Sequence, residues 1–155
     1  MAEAEHVTPY GTHPEYLPAF ITGRQDEDAR QVEQLDHAAS RALEALSLNR
    51  FPAKGAGLDW DSAAYTNQRW WDDEAGWGRL MADLLSSAVA RGERVAVFWG
   101  NLAVPTVVMP ADVAVRHAQE FLEVAPVFWV HPLGGSVLIE CQMDGQVTVA
   151  DIPSA

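Results

Sequence analysis

The chain changes its repeat at Gly92, and that change constrains the fold more than any other feature of the sequence. Before it, apolar residues recur at spacings of three and four, the period of helices with one buried stripe. After it they come as short β-branched and aromatic runs parted by turn residues, which is the pattern of strands. Helices and strands gathered in separate stretches point to an α+β fold.

Residues 1–23 read as an extended N-terminal arm. Pro9, Gly11, Pro14 and Pro18 forbid a long helix there, yet Tyr10, Tyr16, Leu17, Phe20 and Ile21 give the arm apolar surface to lay across the domain or onto another chain. Residues 26–48 read as the first helix, with Asp26 as N-cap, Glu27 and Asp28 at the positive end of the dipole, and a stripe of Val32, Leu35, Ala39, Ala42, Leu43 and Leu46. A short helix through Arg69, capped by Asp59 or Asp61, comes next. Asp73 then caps a helix over residues 74–91 with Trp77, Leu80, Met81, Leu84, Leu85, Ala88 and Val89 on its buried side, and Gly92 stands where a left-handed residue closes it.

Residues 94–99 read as a strand, Gly100-Asn101 as a two-residue hairpin turn, and residues 103–109 as a return strand that Pro105 confines to an edge or a bulge. Pro110 and Asp112 open a third helix that ends before Pro126. Strands follow over residues 127–130, 137–142 and 146–152, with residues 131–135 as a loop and Asp144-Gly145 as a type I′ hairpin signal. The expected architecture is an antiparallel β-sheet of about five strands packed against three or four helices, in a single layer on one face. The arm covers residues 1–23 and a single α+β domain covers residues 24–155.

Charge narrows the partners. Among 155 residues, 22 are acidic and 10 basic, a net charge of −12 with a pI near 4.6. Both stretches are acidic, at −8 for residues 1–93 and −4 for the remainder, so no basic patch hides behind the average. Such a field repels the phosphates of nucleic acid and of anionic membranes, and it draws in a basic protein. One cysteine, Cys141, excludes an intrachain disulfide and an all-cysteine metal site and suits a reducing cytoplasm. The first twelve residues have no basic n-region or apolar core, so no secretory signal is expected. The longest apolar run, residues 95–99, is far short of the ~18 residues of a membrane helix.

Catalytic and metal motifs are weak throughout. Cys141 with His131 suggests a thiol and its base, but Glu140 opposes a thiolate, and a buried core cysteine is the better reading. His6, His13, His37, His117 and His131 contain no i, i+4 pair for a metal. The acidic clusters stand where helices begin and are explained as caps. Gly134-Gly135-Ser136 lacks the lysine of a phosphate loop. The sequence therefore assigns no catalytic residue, no metal ligand and no cofactor.

An aromatic and acidic segment stands out instead. Trp60, Tyr65, Trp70, Trp71 and Trp77 fall within 18 residues, interleaved with Asp59, Asp61, Asp72, Asp73 and Glu74. Tryptophan concentrates binding energy at interfaces, and flanking carboxylates complement Lys or Arg on a partner. The expected partner-binding residues are Trp60, Trp70, Trp71, Asp72, Asp73 and Glu74. The competing reading makes Trp70 and Trp77 core residues at helical spacing, with Trp71 partly exposed.

The function expected is a non-catalytic acidic domain that neutralises or regulates a basic partner. In size and composition, though in no motif, it is like the bacterial immunity proteins that shield cells from toxic enzymes. One alternative is a small-ligand-binding protein or enzyme using a pocket between sheet and helices, flanked by Trp99 and Trp129, with His131, His117, Glu140 and an Asp pair as acid–base groups. Another is an adaptor or subunit of a larger assembly, docked through the arm.

Overall fold

The computed structural model describes residues 10–23, 27–55, 57–99 and 103–153. In chain order the elements are α1 (Ala19–Gly23), α2 (Glu27–Arg30), β1 (Glu33–Gln34), α3 (His37–Leu46), β2 (Ala53–Lys54), β3 (Gly57–Leu58), β4 (Asn67–Trp70), α4 (Glu74–Leu84), α5 (Ser86–Ala90), β5 (Arg94–Phe98), β6 (Val107–Pro110), α6 (Ala111–Arg116), α7 (Ala118–Phe121), β7 (Val127–Pro132), β8 (Val137–Gln142) and β9 (Gln146–Asp151). Seven strands form one antiparallel sheet in the order β1-β6-β5-β7-β8-β9-β4, and β2 with β3 makes a separate ribbon. The protein is thus a mixed α+β fold. It has more strands and more, shorter helices than the sequence pattern predicts. No helix among the described residues is long and apolar enough to cross a membrane.

The two additional strands lie at the edges of the sheet. Glu33 and Gln34 of β1 pair with Val108 and Val107, and β4 pairs residue for residue with β9, Asn67 opposite Val149 and Trp70 opposite Gln146. Neither has the alternation of a half-buried strand; each is extended because a neighbour offers an unfilled row of backbone groups. This breaks the helix expected over residues 26–48. Val32 and Leu35, read as one stripe, pack into different cores, and Asp36 restarts the helix by accepting a 2.8 Å hydrogen bond from the Ala39 N–H. The expected cap Asp26 lies outside the described residues. The short helix expected before Arg69 is replaced by a turn and by β4. Asp59 accepts from the Asp61 N–H and the Ser62 hydroxyl, at 3.2 and 2.9 Å, and so closes a turn.

Elsewhere the local signals hold with changed boundaries. Asp73 caps α4, and Gly92 takes φ 67° after α5, but the chain breaks at Leu85 between them. The third helix divides at His117 into α6 and α7. The Gly100-Asn101 turn lies outside the described residues; β6 begins at Val107, after Pro105. His131 belongs to β7 and pairs with Ala96. The β8–β9 hairpin forms, closed by the Gly145 N–H on the Gln142 carbonyl at 3.0 Å. Met143 and Asp144 are therefore its central residues and Gly145 follows at φ 109°, a three-residue loop in place of a type I′ pair.

Helices cover both faces of the sheet, which corrects the single layer expected. Val95, Val97, Met109, Phe128, Ile139 and Cys141 face α1 and α4–α7 through Phe20, Trp77, Leu80, Met81, Val113 and Phe121. Ala96, Phe98, Val108, Trp129, Leu138 and Ala150 face α3 and the β2–β3 ribbon through Leu43, Phe51 and Leu58. The unbroken apolar runs at residues 95–98 and 128–130 are the sequence trace of this, since a strand buried on both faces does not alternate. Residues 10–23 close the edge near β1 and β6. The Tyr10 hydroxyl donates to the Leu35 carbonyl at 2.8 Å and accepts from the Thr106 N–H at 2.9 Å, while Leu17, Phe20 and Ile21 are buried.

Candidate functional site

The segment from β4 into α4 turns from strand to helix across Trp71, Asp72 and Asp73. Two contacts fix that turn. The Asp73 carboxylate accepts from the Gly76 N–H at 2.7 Å, which starts the helix. The Trp71 N–H donates to the Gly145 carbonyl at 3.1 Å, which ties the turn to the β8–β9 hairpin. Gly145 is required there twice over: its φ is positive, and a Cβ would stand 2.7 Å from the Trp71 carbonyl oxygen.

The three tryptophans of this stretch divide according to strand and helix direction. Trp77 is fully buried, donates to the Ala118 carbonyl at 2.8 Å and packs edge-on against Phe128. Trp71 is half-buried with its ring centroid 5.9 Å from that of Trp77, and its indole N–H is buried with no hydrogen-bond partner among the described residues. Trp70 points the other way and is 62% exposed. Trp70 and Trp77 share no helix, so the reading of both as core residues fails for Trp70.

Trp70, Trp71, Asp72 and Asp73 line one cleft of about 350 Å³ together with Arg69 and Arg79, and Glu74 opens α4 beside it. Their charges are differently committed. Asp73 is used as a cap and Arg69 is paired with Asp83 of α4. The side chains of Asp72, Glu74 and Arg79 have no hydrogen bond or ion pair among the described residues. This leaves an exposed indole beside two unpaired carboxylates and one unpaired guanidinium.

Trp60 does not join them. It lies with the second core, edge-on to Phe51 at 5.2 Å and to Tyr65 at 6.1 Å. Its indole N–H donates to Glu140 at 2.9 Å. Glu140 is the residue that sequence reasoning valued least correctly, as an acid–base candidate. It is 1% exposed in mid-strand, and its two oxygens accept from the Leu58 N–H (2.8 Å), the Trp60 and Trp129 indoles (2.9 and 3.0 Å) and the Gln142 amide (2.9 Å). Four neutral donors satisfy one buried carboxylate, which is the condition under which a buried charge is tolerated. The signal was its place in β8, on the same face as Leu138.

No protein-family model matches the sequence, and no curated protein matches it.

The remaining candidates are dispersed. Cys141 faces α4–α7 and His131 faces α3, on opposite sides of the sheet, so they form no dyad. Burial, with Glu140 adding to it, pushes the Cys141 thiol well above its ordinary range. The His131 ring faces the Val137 carbonyl at 3.0 Å. Trp99 and Trp129 also sit on opposite faces and flank no common pocket. His117 lies between Asp28 (2.8 Å) and Glu120 (3.0 Å), stacked on Phe20, and the Asp28 carboxylate also takes a two-pronged contact from Arg116 at 2.7 and 3.1 Å. The hydrogen bonds from Arg116 and His117 hold Asp28 at about 2. This cluster pins α2 and α1 to α6 and α7. Among the described residues no three His, Cys, Asp or Glu side chains are grouped to hold a metal ion. A second cleft, of about 410 Å³, lies between the arm and β1, lined by Ile21, Ala29, Arg30, Val32 and Gln34.

Proposed function

We propose that this chain is an acidic, non-catalytic protein-binding domain of the cytoplasm. It neutralises or regulates a basic protein by direct contact, in the manner of an inhibitor or immunity protein. One observation carries the reading: Trp70, 62% exposed at the end of an edge strand, stands beside Asp72 and Glu74, whose carboxylates have no partner among the described residues. A large exposed indole rimmed by unpaired charge, here two carboxylates and the Arg79 guanidinium, is the composition of an interface anchor. The net charge of −12 adds long-range attraction for a basic surface. Trp71 anchors the turn beside it, its ring tilted against buried Trp77 at 5.9 Å.

The test compares the tagged wild-type protein with a Trp70→Ala/Asp72→Asn/Glu74→Gln variant in low-salt capture from the native cell, read by mass spectrometry. The expected result is a stoichiometric basic protein that wild type retains, that elutes as salt rises, and that the variant does not retain. Equal retention by the variant removes this surface from the function. Because Trp70 and the two carboxylates are exposed and hold no structural contact, unchanged thermal unfolding of the variant separates lost binding from lost folding.

A further inference from the structure

The two edges of the sheet are not alike. At one end β1 is two residues long, and its Glu33 is ion-paired with Arg94 at 3.5 Å. Brevity and a charged side chain are usual ways to protect an edge. At the other end β4 has four residues and no Pro, its one charged side chain, Arg69, is drawn to Asp83 of α4, and it carries the most exposed large aromatic among the described residues.

The register shows which backbone groups of β4 remain open. Trp71 donates to Gly145 directly opposite, and hydrogen-bonded pairs alternate with non-bonded ones along an antiparallel ladder. Arg69 and Asn67 therefore turn their main-chain groups toward β9. By that alternation the main-chain groups of Gln68 and Trp70 turn outward, away from β9. The outward groups end beside Asp72 and Glu74, the two unpaired carboxylates of the candidate surface.

We infer that an extended segment of the basic partner adds to β4 as a further strand, bonding through the outward main-chain groups of Gln68 and Trp70, while its Lys or Arg side chains meet Asp72 and Glu74. This rests on the reading of the surface given above and adds its geometry. Main-chain pairing supplies affinity in strand addition, and side-chain complementarity selects the segment. Charge decides between occupants. A second copy brings another −12 to the edge, whereas a basic strand brings the opposite sign.

The test uses an eight-residue alternating Lys-Val peptide, a Glu-Val peptide of the same length, and the Lys-Val peptide N-methylated along one backbone edge. The Lys-Val peptide is expected to bind the full-length protein and to slow amide exchange at Gln68 and Trp70 about tenfold or more. Methylation is expected to weaken binding about tenfold, the loss of two or so main-chain bonds. Gln68→Pro removes an outward N–H that β9 does not use and is expected to act as methylation does, with Gln68→Ala neutral. The peptide comparison on the wild-type protein stands even if the proline variant fails to fold.

Equal binding of both Lys-Val peptides, lost in Asp72→Asn/Glu74→Gln, overturns strand addition and leaves the acidic surface standing. No preference for Lys-Val over Glu-Val, or no binding, overturns both. Protection of the same two amides that grows with protein concentration, without peptide, assigns the edge to a second copy and overturns the basic-partner assignment.

Discussion

Toward α4–α7 the sheet presents an almost wholly apolar surface, in which Trp77, Phe121 and Phe128 meet edge to face at centroid distances of 5.8 Å. Two of its indoles satisfy their N–H groups on helix carbonyls, Trp77 on Ala118 and Trp99 on Phe121. Toward α3 the same strands carry Glu140, His131 and Thr148, all buried, and Ser40 of α3 pairs its hydroxyl with that of Thr106, just before β6, at 2.6 Å. The first face is held by buried area, which is strong but indifferent to direction. The second has smaller apolar residues such as Ala96 and Ala150 and draws its geometry from directed bonds. Area alone does not say where the ribbon and Trp60 must sit; Glu140 does.

The largest effect is expected on the apolar face. Trp77→Ala should cost ~3–5 kcal/mol of unfolding free energy in a urea titration, as truncation of a packed buried aromatic does. Glu140→Gln comes next, at ~2–3 kcal/mol. The new amide N–H₂ confronts indole and backbone donors, and the variant's tryptophan emission should shift red as Trp60 loosens. A cost under ~0.5 kcal/mol would mean that the second face does not depend on its polar anchor, and the contrast between the faces would dissolve. Asp73→Ala removes the cap of α4 and should cost ~1 kcal/mol, less than either core change.

The smallest effect is expected at the rim of the apolar face, where Asp28 meets Arg116. A carboxylate whose pKa falls on folding stabilises the folded state above the ordinary carboxylate range and ceases to do so as pH falls toward its folded value. With Asp28 held at about 2 against an ordinary ~3.9, wild type should exceed Asp28→Asn in stability at neutral pH. That gap should close between pH ~4 and ~2. A gap that stayed constant across this window would show that the ion pair contributes nothing to folding. Thiol labelling gives a check independent of stability. Native Cys141 should react with a thiol reagent no faster than the protein unfolds, since the group is fully buried.

What could be read in the sequence follows the range of the interactions. The Asp73 cap, the Gly92 terminus and the two C-terminal strands are set by neighbours a few residues away, and they were legible. β1 and β4 were not, because their state is decided by β6 and β9, more than seventy residues distant. The stripe from Val32 to Leu46 looked like one helical face because periodicity does not record which layer a residue joins. At the candidate surface, Trp70 to Glu74 came together because they adjoin in sequence. Trp60 was drawn in by proximity along the chain, and the sheet then placed it elsewhere. Glu140 was missed as an anchor because two of its four donors come from residues 58 and 60, some eighty positions away.

The pairing of β4 with β9 also sets an order of events during synthesis. Residues 67–70 leave the ribosome early, but the strand that holds them is residues 146–151. Until that strand follows, Trp70 has no platform, Trp71 has no Gly145 to bond, and the acidic edge does not exist as a surface. A nascent chain of this protein therefore gains its proposed binding face only once almost all of the described fold has been made, and a shortened chain lacking β9 retains the acidity without the site.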